Sequence, residues 1–317
     1  MNRRWVLGTG VLAAVGAAIS GGTALARRGE RLADPPAELR IATGPPGAVY
    51  ERIGAALKAA LAPRLPRTRV STIPTGASVD NLALLARSQT ELALASLDAI
   101  VAGLAAGRPT DVTAVTRLYD SWLHLLVRAD SQIKAVTDLN GLAVAAGAEG
   151  SGTRFTTTRL LALAGVHPKL VTATQAEGAA MLAAGHVDAY FSLTGIPTPA
   201  VTDELLPHTP VRLIDLGAWV TKMNATYGAL YSLATLPAST YPGVPAAATL
   251  TTPNLLLARP DLTADLVELV VATLFEQRDR ITQDYPGAIR INVRTGIATS
   301  PIRLHPGAVR YFRSVKS

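Results

Sequence analysis

The chain has 317 residues, 49% of them hydrophobic, with no cysteine and a formal net charge of +7. That length predicts two lobes or domains, and the apolar share excludes disorder along the whole chain. Without cysteine there are no disulfides, thiolate catalysis, cysteine metal sites or lipid-modified cysteine, and the dispersed positive charge, densest at Arg64, Arg67 and Arg69 without interleaved aromatics, gives no nucleic-acid pattern.

Arg3 and Arg4 precede the apolar stretch Val6 to Ile19, and Ala24-Leu25-Ala26 has the A-x-A form of a cleavage site. Residues 1–26 therefore read as an export signal cut after Ala26. The competing reading is an uncleaved anchor, because the uncharged run is just long enough to span a bilayer. The paired arginines leave both general and twin-arginine export open. Either way the rest of the chain is expected outside the cytoplasm. Residues 27–36, with Arg27, Arg28, Arg31 and two prolines, read as a linker.

From Leu39 the chain alternates short apolar runs with helical spacings, the rhythm of an α/β fold with a mainly parallel sheet. Leu39–Thr43 reads as a strand, Gly44–Gly47 as a turn, and Val49–Ala62 as a helix with its apolar stripe at Ile53, Ala56, Leu57 and Ala60. A strand at Val70–Ile73, a helix at Val79–Ser88, a strand at Glu91–Ser96 and a helix at Leu97–Ala106 follow. The order then recurs: strand Leu142–Ala146, glycine-rich loop, helix Thr153–Ala164, strand Leu170–Ala173, helix Glu177–Ala184, strand Val187–Leu193. Near the C-terminus, Leu266, Leu269, Val270, Thr273 and Leu274 mark a helix that Asp261 or Thr263 can cap. Leu236–Pro245 and Thr282–Pro301 read as loops.

Open α/β sheets bind ligands where strands end and helices begin. Four loops stand there. In the first, Thr43 and Gly44 lead to Tyr50 at a helix start, where free N–H groups and a partial positive charge suit an anion; a plain tight turn is the bland alternative. In the second, Ser78 is a good N-cap and Asn81 can donate and accept. In the third, Gly147–Arg154, glycines, Ser151, Gly152, Thr153 and Arg154 offer hydroxyls, N–H groups and a guanidinium to a carboxylate or phosphate. It is neither a Walker A loop nor a dinucleotide fingerprint. The fourth is Phe191–Pro197, with Thr194 and Gly195. The five histidines are scattered, no nucleophile elbow is present, and no catalytic constellation emerges. Binding without chemistry is expected, with no enzyme activity, cofactor or metal.

Seven segments in order carry a family resemblance: Ile41–Tyr50, Thr75–Ala86, Glu91–Ala99, Gly147–Arg154, Val187–Val201, Thr251–Leu262 and Leu304–Phe312. The chain resembles the TAXI family, the extracytoplasmic receptors of tripartite ATP-independent periplasmic (TRAP) transporters. Departures fall at the pocket: Pro45, Pro46, Ala48 and Val49 stand where the family loop is richer in Gly and Thr, and Ser96-Leu97-Asp98 where many members carry Gln. The resemblance implies a periplasmic-binding-protein-like (type II) fold, two α/β lobes with a hinge and a ligand cleft between them. It places the first lobe at 37–126, completed by 237–317, and the second at 127–236. It implies a small anionic solute of the glutamate or 2-oxoglutarate kind and the membrane subunits of a TRAP transporter as partners; the protein itself is expected to be a monomer. A binding protein that reports its ligand to a receptor kinase is the alternative.

Overall fold

The computed structural model describes residue 32 and residues 35–106, 112–284 and 290–316. The signal or anchor segment and most of the linker lie outside the described residues. No helix among the described residues is long and apolar enough to cross a membrane.

The first half begins β1 (Glu38–Ala42), α1 (Val49–Leu61), β2 (Arg69–Ile73), α2 (Ser78–Ala86), β3 (Leu92–Ser96) and α3 (Leu97–Ala105). Then comes β4 (Thr113–Arg128), the longest strand at 16 residues. The pattern repeats in β5 (Ala143–Ala145), α4 (Gly152–Ala164), β6 (Lys169–Val171), α5 (Gln175–Ala183), β7 (Ala189–Thr194), α6 (Pro199–Thr202), β8 (Val211–Leu213) and α7 (Trp219–Tyr227). The chain returns through β9 (Ser232–Leu236) and β10 (Ala247–Ala258). It ends in α8 (Ala264–Glu276), α9 (Arg278–Asp284), α10 (Val293–Gly296) and α11 (Pro306–Ser314).

The strands pair in the order β2-β1-β3-β10-β4-β7-β5-β6, with β8 added to β4 and β9 to β10. The outer strands pair parallel, β2-β1-β3 at one end and β7-β5-β6 at the other. The middle strands β4 and β10 are antiparallel to each other and to their neighbours. Each middle strand serves both lobes. Residues 254–258 of β10 pair with β3, whereas 247–251 pair with β9. Residues 122–126 of β4 pair with β7. The register between β4 and β10 shifts between Pro253 and Leu255. Proline has no N–H to give a ladder, so an irregularity beside Pro253 is its natural place.

Side-chain alternation distributes the core. In β3, Ala93 and Ala95 enter one cluster while Leu92 and Leu94 enter another. In β4, Leu123, Leu125 and Val127 join the cluster of Ala93, but Trp122 and Leu126 join a third. The first cluster runs through both lobes, from Leu82 and Ile100 to Val144, Leu160 and Phe191. The other two are private: Leu39, Ile53, Leu57 and Val270 in the first lobe, Ala179, Leu182, Tyr190 and Val201 in the second. At roughly 1.5–3 kcal/mol for each fully buried large apolar side chain, these clusters outweigh every polar contact in the fold. Thr263 caps α8 through Leu266 N–H (3.4 Å), and Leu266, Leu269 and Val270 return the C-terminal segment to the first lobe's private core.

The α/β, type II binding-protein fold expected from sequence is the fold found. Several local readings change. Ser78 is not an N-cap: Ala77 holds that position, and Ser78 opens the helix. Its hydroxyl turns inward to accept Ser96 N–H (3.1 Å). The segment read as loop over Thr282–Pro301 contains the end of α9 and all of α10.

Candidate functional site

Between the lobes lies a cavity of about 370 Å³, at the small end of ligand pockets. Four helices of nine or thirteen residues present their N-termini to it: α1 at Ala48–Tyr50, α2 at Ser78, α4 at Ser151–Thr153 and α5 at Gln175–Ala176. The first N–H groups of a helix have no partner within it, and its macrodipole is positive at that end. Strand ends put these termini here, because each parallel strand of a βα unit starts its helix at its carboxyl end, the same end of the sheet. Gly147 makes the third loop possible. Its φ of +93° favours glycine, and a Cβ there would lie 2.8 Å from Arg154 N. Ala77 is held at φ 104° without that freedom, a strained position at the cleft wall.

The floor is a hydrogen-bonded set of neutral groups. Tyr50 Oη donates to Asn254 Oδ1. Burial pushes the Tyr50 phenol well up, so it stays protonated and able to donate. Asn254 Nδ2 donates to Ser121 Oγ (2.8 Å) and Tyr119 O (3.1 Å). Ser121 Oγ thus accepts a bond and keeps a proton to give, whereas Ser78 Oγ accepts Ser96 N–H and lies 3.4 Å from Tyr50 Oη, to which it can donate. Ser96 Oγ, on a side chain 1% exposed, has no hydrogen-bond partner among the described residues. A buried hydroxyl left unpaired costs free energy unless a ligand or water meets it. Thr153 Oγ1 accepts Leu193 N–H (3.1 Å), which joins α4 to the end of β7. Deeper in the second lobe, His124 Nε2 lies 2.9 Å from Tyr241 Oη, which accepts Thr198 N–H (3.3 Å) and steadies that wall.

The lobes touch on the side of α2 and α4. Val79 N–H donates to Gly150 O (3.0 Å), so a carbonyl of the second lobe caps a helix of the first. A Cβ at Gly152 would lie 3.1 Å from Ser78 Oγ and 3.4 Å from Ser96 Oγ. One turn further along α4, Thr156 Oγ1 donates to Asp98 Oδ2 (2.6 Å), which also accepts from Tyr231 Oη (3.0 Å). Asp98 Oδ1 accepts Ala99 N–H (2.8 Å). Asp98 is fully buried, and both of its carboxyl oxygens are hydrogen-bonded, by three donors in all.

Of the residues singled out from sequence, Gly44, Tyr50, Ser78, Ser151, Gly152, Thr153 and Thr194 line the cavity. Thr43, Asn81, Arg154 and Gly195 lie outside its lining. Asn81 is committed to structure: it donates to Thr43 O (2.6 Å) and Leu94 O (2.7 Å) and accepts from Thr75 Oγ1 (2.6 Å). Arg154 holds α4's first turn through its N–H to Ser151 Oγ (3.0 Å). Sequence reasoning set Ser96 at the pocket only as a departure from the family pattern, and it missed Tyr119, Ser121 and Asn254 and the exposed Asp203 and Glu204 of the lining. The available signal was an asparagine set between Pro253 and a leucine run. Among the described residues no group of three His, Asp or Glu side chains is placed to hold a metal ion.

The model of the NMT1-like family matches residues 41–315. The chain belongs to the NMT1-like family. The expected membership of the TAXI receptors of TRAP transporters is thereby corrected. The motifs behind it, glycine turns and hydroxyls at helix starts, are what this fold's cleft demands, so they do not separate its families. This NMT1-like protein resembles the alkanesulfonate-binding protein SsuA from Xanthomonas axonopodis pv. citri bound to MOPS (22% identity, 89% of this chain and 84% of that one, TM-score 0.52). It also resembles PhnD1 from Prochlorococcus marinus in complex with methylphosphonate (13%, 82% and 92%, 0.51). A third similar chain, from Listeria monocytogenes, is assigned to an L-cystine ABC transporter (14%, 80% and 98%, 0.50). These likenesses establish the fold, that of a solute-binding protein.

Proposed function

We propose that this protein is an extracytoplasmic receptor that captures a small oxyanion, sulfonate or phosphonate in class, and hands it to the membrane subunits of an ABC-type transporter. The observation that carries the reading is the floor of the cleft. The Ser78, Ser96 and Ser121 hydroxyls face a space on which four helix N-termini converge. A tetrahedral oxyanion offers three oxygens with several lone pairs each, which matches many neutral donors better than one cation. Such sites hold anions through oriented N–H groups. Closure of the lobes removes water and strengthens each bond. The ligands of the sulfonate- and phosphonate-binding neighbours, and the ABC assignment of the third, support the ligand class and the kind of transporter. The function is capture and release without turnover. Glutamate and 2-oxoglutarate, expected from sequence, have no support beyond their negative charge.

The test is a thermal-shift screen of the purified protein followed by calorimetry. The panel holds propane-1-sulfonate, methylphosphonate, acetate, glutamate, 2-oxoglutarate and glucose. A ligand at a hundred times its dissociation constant stabilises by about 2.7 kcal/mol, an easily read shift. The expected result is a sulfonate or phosphonate hit whose affinity falls at least about tenfold in Ser96→Ala, the loss of one hydrogen bond to a charged group. Because Ser96 Oγ has no partner in the unliganded protein, the same variant keeps its unliganded stability. A carboxylate or sugar hit in their place, or a sulfonate hit indifferent to Ser96, overturns the reading.

A further inference from the structure

Ala77 lines the cavity and stands at φ 104°, ψ −131°, immediately before α2. This is the mirror image of the extended region, open to glycine and costly to any residue with a Cβ. On the first lobe's side the turn is tied by Gly76 N–H to Asp80 Oδ2 (2.9 Å) and Ala77 N–H to Thr75 Oγ1 (3.0 Å). From the second lobe, Glu149 and Gly150 press on both flanks of Ala77. A Cβ on Gly76 would lie 2.5 Å from Glu149 O, and one on Gly150 would lie 2.7 Å from Asp80 Cγ. Two residues beyond Ala77, Val79 N–H donates to Gly150 O (3.0 Å). The strained residue thus sits between the points where the two lobes meet.

Backbone strain persists only where the surroundings over-determine it. Two of the groups that bear on this turn, Glu149 and Gly150, leave with the second lobe when the cleft opens. We propose that Ala77 is a release spring: contact with the second lobe imposes its backbone conformation, and opening relaxes it. The strain raises the free energy of the closed arrangement alone, so it works against the contacts that hold the lobes shut and favours letting a captured solute go. Glycine at this position would adopt the same conformation without strain and leave the cleft slower to open. The inference rests on the reading of the cleft as a site that closes over its solute, and not on the solute's class.

The reporter is Val79 N–H. It lies in the first turn of α2, where a helix offers its own N–H groups no partner, so Gly150 O is what protects it. Amide hydrogen exchange is followed by NMR in the native protein, Ala77→Gly and Gly150→Ala, without added solute, and β3 amides report unfolding of the first lobe. In the native protein Val79 should exchange faster than β3, because the lobes separate without unfolding. Ala77→Gly should slow Val79 about tenfold, since the strain relieved exceeds the freedom a glycine gains on opening. Gly150→Ala, which sets a Cβ against the Asp80 carboxylate, should speed Val79 at least about tenfold. Three results overturn the spring: Val79 and β3 exchanging at one rate in the native protein, Val79 unchanged or faster in Ala77→Gly, and Val79 unaffected in Gly150→Ala. A slowed β3 with Val79 unchanged would place the strain within the first lobe, open or closed. Propane-1-sulfonate and methylphosphonate that fail to bind overturn the oxyanion reading alone, because exchange decides the spring without them.

Discussion

Asp98→Asn tests whether the buried carboxylate clamps the lobes together. The substitution preserves shape and leaves the bond to Ala99 N–H available. It removes the charge that Thr156 Oγ1 and Tyr231 Oη address at 2.6 and 3.0 Å. A hydrogen bond to a charged group contributes about 1.5–3 kcal/mol and a neutral one about 0.5–1.5. Two such downgrades cost about 2–3 kcal/mol, or several degrees in Tm for a chain of this size. Urea unfolding at pH 7 reads the loss. Tyr231→Phe removes one of the same bonds and also the acceptor that Arg159 Nη1 meets at 3.2 Å. The two single losses should therefore fall short of adding in the double variant, with a coupling of about 1 kcal/mol. Because Asp98 lies in the first lobe and Thr156 in the second, the ligand-free Asp98→Asn protein should also have a larger radius of gyration in solution scattering. An Asp98→Asn variant within about 0.5 kcal/mol of the native protein, or strict additivity with Tyr231→Phe, would refute the clamp.

Two further outcomes follow from the same structure. His124 is fully buried, and desolvation pushes its imidazole down to about 4 although two backbone carbonyls favour its charged form. The unfolded chain takes up this proton near pH 6.5 and the folded chain only near pH 4. Stability is therefore full above about pH 7 and declines as pH falls from 6.5 to 4, by about 3 kcal/mol; His305, also lowered by burial, acts in the same direction. Urea midpoints across that range should fall less steeply in His124→Gln, and an unchanged slope would refute the assignment. Gly178→Ala places a Cβ 2.8 Å from two ring atoms of Tyr190 and 3.4 Å from Ala145 Cβ. Overpacking of about 1–3 kcal/mol then exceeds the helix gain of about 0.5–1, so the variant should unfold at lower urea; a stabilised variant would show that the ring yields freely.

Much of the fold could be read from sequence because its outer strands and helices each hide one face. Ile53, Leu57 and Ala60 in α1, or Leu266, Leu269 and Val270 in α8, recur at helical spacing. The two longest strands could not. Leu123 to Val127 of β4 are buried on both faces, so the period disappears, and Arg117, Asp120 and His124 interrupt the run. The same holds for β10, where Thr249, Thr251, Thr252 and Asn254 are all buried. The site divides along the same line. Loop residues such as Gly44, Ser78, Ser151 and Gly152 announce themselves by turn chemistry at strand ends. Ser121 and Asn254 meet across 133 positions of chain, and only the pairing of β4 with β10 brings them together. The family was misread for a related reason: the seven motifs describe how this fold builds a cleft, and every family using the cleft needs them.

That pairing also explains why the floor and the hinge are one place. One core cluster runs unbroken through both lobes, while the two private clusters meet no counterpart across the cleft. The lobes can separate on the private side without breaking a core, whereas on the shared side Val79, Gly150, Asp98 and Thr156 hold them. The covalent continuity is carried by β4 and β10, so any rotation must be absorbed along these strands. The register shift beside Pro253 is where the ladder is least regular. Asn254 follows it directly, and its amide holds Tyr119 and Ser121 while its carbonyl oxygen receives Tyr50. A ligand seated on Ser121 and Ser78 therefore bridges residues on either side of the bend. Hinges absorb their change over a few residues at element junctions. A ligand gripping those residues favours closure through its differential contacts with the closed state.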